Sequence, residues 1–315
     1  MEFMNLVLFL GSLLFFMRAA HYATLYASRL ACVLHFSEFV VSFFIVSVIS
    51  TLPEACIAII SALEGSPVFG LGTLLGSNVA DLTLVMGLVA VYSAKGVHVD
   101  KCVVQKGSLY LLLLLLPFLL GFDGAFSRVD GLILVFAGFL FFFNLSLGDR
   151  TLAGSLQCVK DPMFVKDLLL MLASMAALLV GAHFTVVFGT AMAMDLGLPP
   201  ILIGLTLVSV GTCLPELVFS LTSVRSKHDG LALGDVLGTV VIDATIILGA
   251  VALLMPYSFD PSYVYVTGLA MFFAGVLVIS SMRSGWVLSK KEGVVLLGFY
   301  VLFLLVELSV RLMGA

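Results

Sequence analysis

Four carboxylates stand inside apolar runs of this chain: Glu54 and Glu216, each directly after a proline (Pro53 and Pro215), and Asp81 and Asp243 farther along. Hydroxyls gather around them. Ser50, Thr51 and Thr212 lie within one helical turn before the prolines, and Ser77 and Thr239 precede the aspartates by four residues, on the same face of a helix. A proline inside a helix cannot donate to the i−4 carbonyl and its ring clashes there, so carbonyls near Ile49 and Gly211 are expected to be freed. Carboxylates, hydroxyls and carbonyls are hard oxygen donors suited to Ca²⁺, Na⁺ or Mg²⁺, and two glutamates neutralise one divalent ion. Mg²⁺ fits least, because it demands near-octahedral geometry and sheds water reluctantly. Softer metals lack their ligands: Cys32, Cys56, Cys102, Cys158 and Cys213 form no C-x-x-C pair, and His21, His35, His98, His183 and His228 show no ligand spacing. No resident cofactor is expected.

The elements that position these groups must cross a bilayer. The 315 residues are 62% hydrophobic and 11% charged, against about 25% charged in a soluble domain. Ten apolar spans read from the sequence use up nearly the whole chain: about 3–17, 38–63, 68–93, 107–121, 131–147, 166–190, 199–224, 230–255, 262–282 and 293–312. At bilayer depth each carboxylate costs about 2.5–3.5 kcal/mol or more. All 15 Lys and Arg map to connections or helix ends, which leaves no basic partner at depth and makes a bound cation the economical compensation. Protonated, hydrogen-bonded carboxyls are the alternative, and reversible protonation would itself couple such a site to H⁺. Glu38, Glu64 and Glu307 lie near span ends, where solvation or snorkelling explains them. His183 reads as structural, and Asp235 stays open.

Bases alternate sides along the spans, 13 on one and 2 on the other. The positive-inside rule makes the 13-base side cytoplasmic and puts both termini outside. The N-terminus lacks a basic n-region and a small-residue cleavage site, so the first run is expected to remain as a helix. Net charge is −4, with no basic surface for nucleic acid. Sliding the chain against itself brings residues 50–87 over 212–249 at a constant offset of 162, with the Leu-Pro-Glu elements, Gly72/Gly234, Gly76/Gly238, Asp81/Asp243 and Gly87/Gly249 in register. Five spans per half is odd, so the halves enter the membrane from opposite sides, the plan of secondary transporters. The expected fold is an all-α integral membrane protein of ten transmembrane helices in two inverted five-helix repeats. Residues 1–150 form the first, with its central repeat at about 38–93, and 166–315 the second, with its own at about 199–255. A cytoplasmic linker, 151–165, is too short for a regulatory domain. Small-xxx-small faces at Gly72, Gly76, Gly234 and Gly238 let helices approach closely enough for the two Pro-Glu breaks to meet.

These residues resemble the cation/calcium exchanger superfamily, specifically the prokaryotic sodium/calcium exchangers, whose two repeats carry a Gly-Thr-Ser-Leu-Pro-Glu element and a Gly-Asn-x-x-Gly-Ser-Asn element. Here they stand as Ile49–Glu54 and Gly211–Glu216, and as Gly72–Asn78 and Gly234–Val240. The resemblance implies that Glu54 and Glu216 coordinate Ca²⁺ and share in Na⁺ binding, helped by Ser50, Thr51, Thr212, Ser77, Thr239 and the carbonyls of Ser47 and Ser209. It further implies electrogenic exchange by alternating access, the first and sixth spans sliding over the rest. Thr73 and Asp235 replace the first asparagine, Cys213 a serine, Val240 the second asparagine, and Asp81 stands where asparagine is usual. The extra acid favours more bound positive charge or a retained proton, so H⁺ or K⁺ coupling stays open.

Two other classes compete. An ion channel also uses intramembrane acids, but needs an open path and shows no saturable, counter-ion-dependent flux. An intramembrane aspartyl enzyme would use Asp81 and Asp243 as its pair, leaving the Pro-Glu breaks unexplained. The basic-inside bias suits a prokaryotic plasma membrane, and no protein partner is called for.

Overall fold

The computed structural model describes residues 2–31, 46–93, 95–99, 106–148 and 164–313. Residues 38–45 of the expected second span, the linker as far as 163, and Cys32, His35, Glu38, Cys102 and Cys158 lie outside the described residues. Helix α1 runs Glu2–Ala31; α2 (Ser47–Ser50) and α3 (Leu52–Leu63) are two pieces of one broken segment; α4 (Pro67–Ala80) passes through a π-helical turn, Asp81–Val85, into α5 (Met86–Tyr92). After strand β1 (Val97–His98) come α6 (Gly107–Leu120), β2 (Ala125–Phe126) and α7 (Arg128–Gly148). The second half repeats the order: α8 (Phe164–Asp195); α9 (Pro200–Ile203), a π-turn Gly204–Val208, α10 (Ser209–Thr212) and α11 (Leu214–Arg225); α12 (Asp229–Val241), a π-turn Ile242–Ile247 and α13 (Leu248–Leu254). It closes with β3 (Tyr257–Ser258), α14 (Pro261–Arg283), β4 (Val287–Leu288) and α15 (Lys290–Met313).

Among the described residues, eight helices are long and apolar enough to cross a membrane, and two further apolar helical segments, Leu52–Leu63 and Gly107–Asp123, are shorter. Apolar side chains such as Leu14, Phe15, Phe136, Phe143, Leu172 and Leu305 face outward, as lipid as solvent requires. The chain is an all-helical integral membrane protein. Helix α1 is longer than expected: it continues well past Arg18, which therefore sits on a helix and not in a connection.

Packing follows the repeat. Helices α1 and α8 lie along each other; α5 pairs with α15, and α13 with α7; α6 pairs with α14. Strands cross between halves in the same fashion, β1 antiparallel to β4 and β2 to β3. The main core surrounds α4, α5, α12 and α13, where Leu74, Val79, Leu82, Val240, Ala244 and Leu248 are fully buried. Glycines set how near the helices come. A Cβ on Gly72 would lie 2.5 Å from the Ile201 carbonyl oxygen, and one on Gly204 2.4 Å from that of Phe69, so α4 meets the start of the second broken segment backbone to backbone.

Candidate functional site

The site is built at the two helix breaks and the two π-turns. At Thr51 the chain leaves α2 and restarts at Leu52, with Pro53 in the first turn of α3, where its missing N–H costs nothing, and Glu54 beside it. Cys213, Leu214, Pro215 and Glu216 repeat this arrangement at the start of α11. The expectation that the carbonyls of Ile49 and Gly211 are freed is corrected. The amides closing each first piece bond Ser47 O and Ile49 O at one break, Ser209 O and Gly211 O at the other. The tightened turn recovers the bonds that proline cannot make. The Ser209 carbonyl takes both the Cys213 N–H at 3.1 Å and the Thr212 hydroxyl at 3.0 Å, so both its lone pairs are engaged.

Asp81 opens one π-turn and Asp243 lies in its counterpart. Such turns carry i→i+5 bonds and shift the register of the helix after the aspartates, while the amides at the end of α4 still reach Ser77 O and Asn78 O, and those at the end of α12 Gly238 O and Thr239 O. Thr83 and Thr245, at matching positions, turn their hydroxyls back to the Val79 and Val241 carbonyls, a bond that bends helices.

Glu54, Asp81, Glu216 and Asp243 are all completely buried. Glu54 lies within electrostatic range of Asp81, Glu216, Asp235 and Asp243, which brings the four predicted acids and one more into a single cluster. Neighbours come from the opposite half: Thr212 stands beside Glu54, Cys213 beside Asp81, and Ser77 beside Asp243. The surrounding protons point elsewhere. Thr51 donates to Val48 O at 3.0 Å, Ser77 to Leu74 O at 3.0 Å and Thr212 to Ser209 O, while the Ser209 hydroxyl returns to Leu205 O. Cys213 Sγ donates to Ser77 O at 3.6 Å. Both carboxylate oxygens of Glu54, Asp81, Glu216 and Asp243, together with Thr239 Oγ1, are buried with no hydrogen-bond partner. Fully buried polar side chains among the described residues include no Lys, Arg or His.

An unpaired buried carboxylate is among the costliest groups a protein can hold. Buried carboxylate oxygens that receive no hydrogen bond fit positive charge. Among the described residues no three of His, Cys, Asp and Glu converge as ligands of one metal ion.

Sequence reasoning left the role of Asp235 open. It is completely buried on α12 and accepts the Ser50 hydroxyl at 2.8 Å. Its register opposite Thr73, at the repeat offset, was the available signal. Ser47 does not face the acids with its hydroxyl, which donates to the Asp235 and Gly234 carbonyls at 3.1 and 3.3 Å. Glu307, expected to be solvated, is fully buried and accepts from Thr267 at 3.4 Å, because α14 covers it. Glu64 is paired with His183 at 2.9 Å, which gives that histidine a structural role.

The chain is 27% identical to the sodium/calcium exchanger MaX1 of Methanosarcina acetivorans over 96% of its own length and 98% of that protein's. It is 28% identical to the inner membrane protein YrbG of Escherichia coli, covering 69% of this chain and 70% of that one. Among solved structures, the sodium-calcium exchanger NCX_Mj soaked with Na⁺ and Sr²⁺ superposes with a TM-score of 0.67 at 26% identity, over 96% of this chain and 98% of that one. The family model described as sodium/calcium exchanger protein matches twice, at residues 4–146 and 166–308, the second match beginning and ending 162 residues after the first. The chain belongs to the sodium/calcium exchanger family.

Proposed function

We propose that this protein is a secondary antiporter that exchanges Na⁺ for Ca²⁺ at the buried carboxylate cluster. The observation that carries the reading is the set of eight unpartnered carboxylate oxygens on Glu54, Asp81, Glu216 and Asp243, with no base among them. Glu54 and Glu216 neutralise one Ca²⁺. Ser50, Thr51, Thr212, Ser77 and Thr239 supply neutral oxygens, with the Ser47 and Ser209 carbonyls joining once their present bonds exchange. Na⁺ takes the same oxygens with fewer charges per ion, so the two ions compete for one wall and cross in turn. Ten crossings are the reading of the eight long helices plus the broken α2–α3 segment and α6. The two halves are then inverted, both termini lie outside and the membrane is the plasma membrane. Alternating access follows from the inversion, each half taking in turn the conformation of the other. Helices α1 and α8, which lie along each other and touch the remainder at α2, α3, α9, α10 and α11, are the pair that slides. MaX1 and NCX_Mj carry sodium and calcium in their names, which supports this choice of ions.

A second reading, coupling to H⁺ or K⁺, is favoured by one observation. Asp81, Asp235 and Asp243 add charge that two glutamates and a Ca²⁺ leave unbalanced. Equilibrium binding of radiolabelled Ca²⁺ to purified protein, with Na⁺, K⁺ or acid as competitor, tests both readings. Displacement by Na⁺ and its loss in Glu54→Gln with Glu216→Gln are expected. Displacement by K⁺ or H⁺ but not Na⁺ would move the coupling ion to the second reading.

A further inference from the structure

The two helix breaks match in sequence but not in their hydrogen bonds. At the first, Ser50 donates to Asp235 Oδ1 at 2.8 Å, and Ser47 donates to the backbone of Gly234 and Asp235. At the second, the matching Thr212 donates to the neutral carbonyl of Ser209, and Thr73, which stands opposite Asp235 in the repeat, donates to Phe69 O at 3.1 Å on its own helix. One break is laced to the partner helix through a carboxylate, and the other keeps its hydroxyls on its own backbone.

We propose that Asp235 is a positioning residue that makes Ser50 the stronger of the two hydroxyl ligands and so makes the two ends of the cation site unequal. The inference rests on the antiporter reading of the same cluster. A hydroxyl whose proton is held by a carboxylate is in a charge-assisted bond, which pulls the proton outward and leaves the oxygen richer in electrons. Its direction is fixed as well: with the hydroxyl proton directed at Asp235, the lone pairs of Ser50 are left for a cation. Outer carboxylates act on metal ligands in this way, and their removal costs about 10–100-fold in affinity. Thr212, bonded to a neutral carbonyl, lacks this polarisation. Asp235 is not itself in a closed ligand shell, because no three acids or His and Cys side chains among the described residues converge on one metal position. Its second oxygen, Oδ2, is buried without a partner, so the residue also brings a charge within reach of Glu54. The experiment must therefore separate action through Ser50 from direct attraction.

A double-mutant cycle does so, read as equilibrium Ca²⁺ binding to purified protein. Asp235→Asn keeps the shape and an acceptor but removes the charge, and it is expected to raise the half-saturating Ca²⁺ by about tenfold. In a Ser50→Ala background the same change is expected to have no further effect. An equal rise in both backgrounds would mean that the charge acts directly on the ion, and no rise in the native background would mean that it does not act; either overturns the proposal. Asp235→Thr, the residue type of the other repeat, serves as the second variant and is expected to follow Asp235→Asn. Failure of the antiporter reading is distinguishable, because there the unaltered protein would bind no Ca²⁺ that Na⁺ displaces.

Discussion

Gly76 of α4 and Leu205 of the π-turn before α10 meet backbone to backbone: a Cβ on Gly76 would stand 2.5 Å from the Leu205 carbonyl oxygen and 2.8 Å from its Cα. Both neighbours are main-chain atoms, so neither can turn aside as a side chain would. The Leu205 carbonyl also receives the Ser209 hydroxyl, which ties this crossing to the second helix break. Gly76→Ala is expected to lower stability by about 1–3 kcal/mol and to disturb Ser209, reducing exchange beyond what the stability loss explains. Thermal unfolding in detergent and the exchange rate of the folded fraction measure the two effects. Normal exchange with normal stability would show that this contact does not set the spacing.

The Gly131 and Gly249 pair in α7 and α13 is repeated by Gly293 and Gly87 in α15 and α5. A Cβ on Gly131 would lie 2.6 Å from Gly249 O, and one on Gly293 2.9 Å from Gly87 O. Gly131→Ala and Gly293→Ala are expected to destabilise to similar extents, again about 1–3 kcal/mol each. Their effects should add, since separate contacts are lost. A loss confined to one half, measured by thermal unfolding, would contradict the equivalence of the halves.

Cys213 stands beside Asp81 and sends its thiol proton to Ser77 O. Sulfur is a soft ligand and a poor one for Na⁺. Cys213→Ser is expected to lower the Na⁺ concentration that half-maximally drives exchange, with Ca²⁺ affinity changed less, because Glu54 and Glu216 dominate the divalent ion. The Na⁺ dependence of flux reads this directly. An unchanged Na⁺ dependence would remove residue 213 from the ion path.

Asp81→Asn is expected to retain Ca²⁺ uptake, since two glutamates still neutralise the divalent ion, and to weaken any competition from K⁺ or H⁺. Uptake measured against K⁺ and acid checks both. Complete loss of uptake would make Asp81 a direct Ca²⁺ ligand on a par with Glu54.

Glu54, Glu216, Asp81 and Asp243 were legible because a carboxylate in an apolar run is costly enough to announce itself, and because the 162-residue offset pairs each with a second copy. Register also located the hydroxyls. It could not say where their protons go, and that decides which oxygens face a cation: the Ser50 hydroxyl turned out to bond the Asp235 carboxylate. The prolines marked the breaks, yet the freed carbonyls expected at Ile49 and Gly211 are bonded, because tightening of the turn is a backbone adjustment that no side chain signals. The π-turns at Asp81 and Asp243 escaped for the same reason. Asp235 was left open and Glu307 misread because burial depends on what packs over a residue. For Glu307 that is α14, 40 residues away at Thr267.

The central claim is that the carboxylates of both halves form one site through which Na⁺ drives Ca²⁺. Its most direct test is uptake of radiolabelled Ca²⁺ into proteoliposomes loaded in turn with Na⁺, K⁺ or acid, for the unaltered protein and for Glu54→Gln with Glu216→Gln. Uptake driven by an outward Na⁺ gradient and abolished in the double variant is the predicted result. Undiminished uptake in the double variant would contradict the site, and uptake indifferent to Na⁺ would contradict the exchange.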